Sequence, residues 1–226
     1  MKVVYVHHNS HTGGASNSLK YLLQELNKKK IEIHIICPPG KVLESFLKIT
    51  KNVYQIEGIP LLMATSGINF PLIRSALSFR YFSQHKRIYS IIRKINPDVV
   101  HLNEIGQFLL AKKIKKQGYK VVLHARVAIN RKYNFLTRLT EKMINTYVDC
   151  VFAIDGSVKY NLKNLKNLKI VYNPLNPFFK TLKINNIETK VNCLFLANLL
   201  KYKGVSTLID SVLHLRHEKN IKFLIA

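Results

Sequence analysis

Short apolar runs alternate with helix-patterned stretches along almost the whole chain, and few architectures accommodate that rhythm. Val3 to Val6 reads as a strand, and Ala15 to Lys29 carries Leu19, Leu22, Leu23 and Leu26 at helical spacing. Ile31 to Cys37 is the next strand, stopped by Pro38-Pro39-Gly40, and a short helix near Val42 to Lys48 and a strand near Val53 to Ile56 follow. Beyond an irregular stretch, Pro71 to Ile95 reads as helical. Strands at Val99 to Leu102, Tyr119 to His124, Cys150 to Ile154 and Lys169 to Tyr172 then alternate with helices at Gln107 to Gln117, Phe135 to Tyr147 and Ser157 to Leu165. Such alternation indicates an α/β chain with a mostly parallel sheet built from right-handed βαβ units. Val99-Val100, Val121-Val122-Leu123 and Val151-Phe152 are continuously apolar, as strands covered on both faces require.

The prolines of Asn173-Pro174-Leu175-Asn176-Pro177 interrupt the rhythm and mark a boundary. Residues 1–173 form one expected domain, 174–190 a linker, and 191–226 the start of another. The last segment offers a strand at Val191 to Ala197, a loop at Asn198 to Gly204, a helix at Val205 to Glu218 and a strand from Ile221. Two strands and a helix cannot bury a sheet by themselves. The segment is therefore expected either to pack on the first domain or to belong to an incomplete chain. No apolar run reaches the length of a membrane span, and the N-terminus does not read as a signal peptide. Cys37, Cys150 and Cys193 are widely spaced in apolar surroundings, as expected of buried, reduced thiols in a cytoplasmic protein.

Three loops could carry chemistry. His8 to Gly14 joins the end of the first strand to a helix N-terminus, where ligands of parallel sheets bind. Its Gly13 and Gly14 permit close backbone approach, and the free N–H groups suit an anion or a sugar hydroxyl. The loop does not match G-x-G-x-x-G, so a dinucleotide cofactor is disfavoured. His7, His8 and His11 lie near it, but without a neighbouring carboxylate or cysteine no metal site is assigned. His124 ends a strand on the same edge, and Glu104 lies just past the strand before it, a spare carboxylate with an expected structural role. The third loop, Asn198 to Gly204, places Lys203 and Gly204 before a helix, a geometry suited to phosphate.

Five motifs occur in order: Gly13-Gly14-Ala15, Pro97-Asp98-Val99-Val100-His101, His124, Val171-Tyr172-Asn173-Pro174, and Ala197-Asn198…Lys203-Gly204-Val205. Together they resemble the retaining glycosyltransferases of family 4, which have the GT-B fold of two Rossmann-like domains. The resemblance implies a Rossmann-like acceptor-binding domain with helices on both faces of its sheet, followed by part of a nucleotide-sugar-binding domain. It implies that Gly13-Gly14 lines the cleft, that His124 contacts the transferred sugar, and that Lys203 holds the donor diphosphate. Many family members have an arginine where this chain has Asn198, which puts one phosphate contact in doubt. The family's pair of glutamates separated by seven residues does not occur here. The resemblance thus leads us to expect a chain that stops short of most of the donor site. The implied substrates are a nucleotide sugar and a glycan or lipid-linked acceptor, in cell-surface polysaccharide synthesis, with no cofactor. No catalytic nucleophile or base is assigned.

The formal net charge is +24, from 36 Lys and Arg against 12 Asp and Glu. It predicts attraction to polyanions, although a chain rich in Lys, Asn and Ile also fits an AT-biased genome. Phe79, Tyr81 and Phe82, set among Arg74 and Arg80, are expected to face an anionic membrane, making the protein peripheral. The helix from Ile88 to Ile95 is expected to be scaffold. Nucleic acid is the less favoured partner, because the basic residues are dispersed and no binding motif appears. The remaining alternative is a non-catalytic, acceptor-binding subunit completed by a partner chain.

Overall fold

The computed structural model describes residues 1–59, 61, 79–129, 134–175, 191–197, 199 and 203–225. The chain divides into two compact units, Met1–Pro177 and Phe178–Ala226. The first holds strands β1 (Lys2–Val6), β2 (Glu32–Cys37), β3 (Val53–Gln55), β4 (Val99–Leu102), β5 (Lys120–Ala125), β6 (Cys150–Ala153) and β7 (Leu168–Ile170). Its helices are α1 (Gly14–Lys28), α2 (Lys41–Leu47), α3 (Phe79–Ile95), α4 (Phe108–Lys116), α5 (Asn134–Tyr147) and α6 (Gly156–Asn161). The strands form one seven-stranded sheet in the order β3-β2-β1-β4-β5-β6-β7. Every neighbouring pair is parallel. The order reverses between β1 and β4, and at such a switch point the connections leave in opposite directions and open a crevice at the carboxyl ends of the strands.

Two cores cover the two faces, as the continuous apolar strands require. On one face Val3, Tyr5, Ile33 and Ile35 pack with Leu19 and Leu23 of α1 and Phe46 of α2. On the other, Val4, Val100, Leu102, Leu123 and Val151 pack with Ile88 and Ile92 of α3 and Leu110 and Ile114 of α4. Ile88, Ile92 and Ile95 are buried, so this part of α3 is scaffold. Two aspartates hold the amino edge of the sheet. Asp98 Oδ2 accepts from Lys2 N at 2.7 Å, and Asp149 Oδ2 accepts from Val121 N at 2.7 Å, with Lys115 Nζ also bound to Asp149. Each aspartate's own N–H returns a bond to the same neighbouring strand, at 2.9 Å in both cases.

Most expected boundaries agree within two residues. α6 is an exception: its pattern continues to Leu165, but regular helix ends at Asn161 and successive turns carry the chain to β7. Asn161 is engaged instead with the loop at Ile129, accepting from its N–H at 2.9 Å. The thiols also depart from expectation, since Cys37 is buried whereas Cys150 and Cys193 are partly exposed. In the second unit, β8 (Val191–Phe195) and β9 (Ile221–Ile225) form a parallel pair connected through α7 (Val205–His214). No residue of α7 is buried.

Ile92 is fully enclosed, whereas Leu47 is 49% exposed. Urea denaturation should show that Ile92→Ala costs about 2–5 kcal/mol. Leu47→Ala should stay within about 0.5 kcal/mol of wild type.

Candidate functional site

The carboxyl edge of the sheet carries a polar residue just after each central strand: His7 after β1, Asn103 after β4 and Arg126 after β5. Arg126 is the hub. Its Nε and Nη2 both donate to Asn103 Oδ1, at 3.0 and 2.8 Å, and its Nη1 donates to Asn173 Oδ1 at 3.0 Å. Ser18 Oγ of α1 donates to the same Asn173 oxygen at 2.7 Å. Because the guanidinium occupies its oxygen, the Asn103 amide must turn its nitrogen the other way, where Nδ2 lies 2.9 Å from His7 Nδ1. That atom is therefore an acceptor and the proton of a neutral His7 sits on Nε2, which lies 3.0 Å from Ser16 Oγ. Ser16 Oγ in turn donates to His11 O at 2.9 Å. The donors run in one direction from Arg126 to the loop in front of α1.

Burial keeps the surrounding histidines neutral, and the Arg126 charge adds to the effect. His7 is brought down to about 3, where His8 also contributes, and His8 itself to about 4. His101 falls to about 3 and His124 to about 2. Tyr5, His101, His124 and Phe152 form a row of rings across four neighbouring strands, with successive centroids 5.0, 5.6 and 6.0 Å apart. Nε2 of both His101 and His124 is buried without a hydrogen-bond partner. Burial moves Glu104 the other way, to about 7, although N–H groups of Ile105 and Arg126 and the Arg126 charge oppose the shift. Arg126 itself is lowered by burial to about 10, so it remains a cation at neutral pH.

The expected residues fall into three groups. His124 and Glu104 converge on Arg126, with His124 Nδ1 3.5 Å from its Nη2. Glu104 accepts from Ile105 N at 2.8 Å as cap of the short turn Ile105–Gln107. Gly13 is the N-cap of α1 and Gly14 its first residue. A Cβ on either would meet nothing within 4 Å, so packing does not demand glycine there and the space beside the backbone is open. Gly40 contrasts with both: it has φ +133°, and a Cβ would lie 2.6 Å from Ser10 O. It thereby allows Val42 N to donate to Ser10 O at 3.3 Å and hold the loop before α1.

Lys203 and Gly204 lie in the second unit, where Gly204 caps α7 in the left-handed conformation at φ 86°. Asn198 and Arg74, and the side chains of Phe79, Arg80, Tyr81 and Phe82, lie outside the described residues. Both ring nitrogens of His7 are taken by Asn103 and Ser16, which leaves it no lone pair for a metal. Sequence reasoning passed over Asn103, Arg126 and Gly40 as site residues. A polar residue directly after an apolar strand run is the signal that would have found the first two.

Residues 12–177 match the family model of Glycosyltransferase Family 4. No curated protein matches the sequence. Among solved structures, HepE of Anabaena in complex with UDP and glucose is similar at a TM-score of 0.65 and 12% identity, the alignment covering 100% of this chain and 69% of HepE. The lipopolysaccharide outer core galactosyltransferase WaaB in its apo form is similar at 0.64 and 15% identity, over 100% of this chain and 68% of WaaB. MurG of Acinetobacter baumannii is similar at 0.57 and 11% identity, over 99% of this chain and 67% of MurG. At these identities the likeness concerns the fold, and it matches the expected GT-B architecture.

An unfolded chain protonates its histidines as pH falls through 6.5, while His101 and His124 stay neutral in the folded one down to about 3 and about 2. Stability present above pH 6.5 is therefore lost as pH falls. Replacing either histidine by Asn should reduce the loss between pH 7 and about pH 5 by about 2 kcal/mol, read from urea denaturation at the two pH values. Glu104 acts oppositely. Its folded carboxyl stays protonated up to about 7, so stability is lost as pH rises from 4.5 to 7, and Glu104→Gln should flatten that limb.

Proposed function

Because the chain belongs to Glycosyltransferase Family 4, we propose that the carboxyl edge around Arg126 receives the acceptor and the sugar of a nucleotide-sugar donor, which the protein transfers between them. The observation that carries this reading is the ordered cluster of His7, Asn103, Arg126 and Asn173 at the switch point, beside the open backbone at Gly13-Gly14. A buried, neutral His124 with Nε2 unpartnered suits a sugar hydroxyl, because it offers a hydrogen bond without a charge. A departing diphosphate needs fixed positive charge. Lys203 and the N-terminus of α7 are our candidates for it, with Asn198 and Gly204 in the same loop.

The donor remains a substrate rather than a cofactor, and no protein nucleophile or base is assigned. The acceptor would be a glycan or a lipid-linked glycan, and transfer would retain anomeric configuration. A role in cell-surface polysaccharide synthesis draws support from the fold likeness to a lipopolysaccharide galactosyltransferase.

The test is a transfer assay on the full chain with a panel of UDP- and TDP-sugars and glycan acceptors, scored by release of the nucleoside diphosphate. His124→Ala should lower turnover by about a hundredfold, the effect of one lost preorganised hydrogen bond in an enclosed site. Unchanged turnover in that variant, or no transfer from any donor in the wild type, sinks the reading.

A further inference from the structure

The outer surface of α3, α4 and α5 is a second feature, separate from the carboxyl edge. The helices pack side by side: Tyr89 OH of α3 donates to Leu110 O at 3.4 Å, Lys113 Nζ lies 4.5 Å from the centre of the Tyr89 ring, and Lys112 Nζ lies 6.0 Å from that of Tyr147. α3 exposes Lys86, Arg87, Arg93 and Lys94, and α4 exposes Lys112, Lys113 and Lys116. α5 adds exposed Arg138 and Lys142. The only carboxylate in the three helices, Glu141, is buried and accepts from Asn164 Nδ2 at 3.1 and 3.2 Å. α1 and α2 differ, since they intersperse Glu25 and Glu44 with their lysines.

This face also carries apolar side chains. Phe135 is 77% and Leu139 46% exposed, one turn apart on α5 and next to Arg138 and Lys142. Tyr89, Leu109 and Met143 line a groove between the helices, with Lys86, Lys112 and Lys116 at its margin. Exposed aromatic and aliphatic side chains among lysines suit the boundary between lipid headgroups and acyl chains. Nucleic acid calls for another arrangement, a groove that tracks a phosphate backbone with aromatics presented for stacking or side chains aimed at base edges. Here the charges are mainly lysine point charges spread over three neighbouring helices, which matches an extended, laterally mobile anionic surface. Among the described residues no helix is long and apolar enough to cross a membrane.

We propose that the α3–α4–α5 face docks the protein onto an anionic lipid bilayer, its lysines and arginines meeting headgroup phosphates while Phe135 and Leu139 enter the headgroup–acyl boundary. The proposal rests on side chains other than those of Phe79–Phe82, at the start of α3, and it does not depend on the transfer activity.

The test is cosedimentation of the full chain with phosphatidylcholine vesicles, with and without phosphatidylglycerol. Wild type should bind only the anionic vesicles and should be released by high salt. Lys112→Glu/Lys113→Glu/Lys116→Glu should weaken binding by at least about a hundredfold, the effect of removing three cations at the surface. A control with the same change in net charge at exposed Lys29, Lys41 and Lys48 should bind at nearly wild-type strength. Phe135→Ser/Leu139→Ser should weaken binding and make what remains more sensitive to salt. Thermal unfolding of each variant separates loss of docking from loss of fold. Equal losses in the α4 triple variant and its control, no binding to anionic vesicles at low salt, or binding to duplex DNA in preference to vesicles would overturn the proposal.

Discussion

A guanidinium enclosed in the first unit with neutral amides as its hydrogen-bond acceptors constrains everything around it. Arg126 is buried and charged, so its N–H groups must be satisfied in place. The nearest acid, Glu104, stands at about 7 and is held by backbone N–H groups. The acceptors are Asn103 and Asn173, and each transmits the constraint. Asn103 can face Arg126 with its oxygen alone, which sets the tautomer of His7 and the rotor of Ser16. Asn173 ties the chain beyond β7 to Ser18 of α1. One cation thus aligns the ends of β1, β4 and β5 with the first turns of α1. A lysine in its place could not make this fork of bonds.

That alignment requires the parallel sheet. Only a doubly wound order brings β1 and β4 side by side although 92 residues separate Val6 from Val99. Their register places Val6 opposite Leu102, so the residues that follow, His7 and Asn103, emerge together. At the other edge Asp98 and Asp149 cap neighbouring strands, placing carboxylates far from the site. Asp98 and Asp149 thus sit at the amino edge, while at the carboxyl edge Arg126 stands among neutral rings, with Glu104 beside it held by backbone N–H groups.

The strand–helix order was legible because apolar period and strand length are local properties, and Val99-Val100 or Val121-Val122-Leu123 can be recognised without knowing their neighbours. Placing His124, Glu104 and Gly13-Gly14 on one edge followed from topology alone. The partners of those residues were not legible. Asn103 and Arg126 meet only because β4 and β5 pair in a particular register, and no local pattern encodes that register. The strain at Gly40 was equally hidden, because it arises from the approach of Ser10, 30 residues earlier in the chain. Composition misled in another way. The cations appeared dispersed along the sequence, yet α3, α4 and α5 gather many of them on one face after Glu141 is withdrawn into the interior.

A strongly positive chain needs a means of keeping its own site from gathering charge, and burial supplies it. His7, His8, His101 and His124 would add positive charge beside Arg126 if protonated, and each is instead driven well below its ordinary value. The Arg126 charge strengthens this, since every added proton would meet a fixed cation. Arg126 thus remains a cation at neutral pH while the histidines around it stay neutral. An anion approaching that edge meets a directed guanidinium and neutral hydrogen-bonding rings, whereas one approaching the helices meets a broad, mobile layer of ammonium groups. The first arrangement favours a bound ligand in one orientation; the second favours a surface that is held but free to slide.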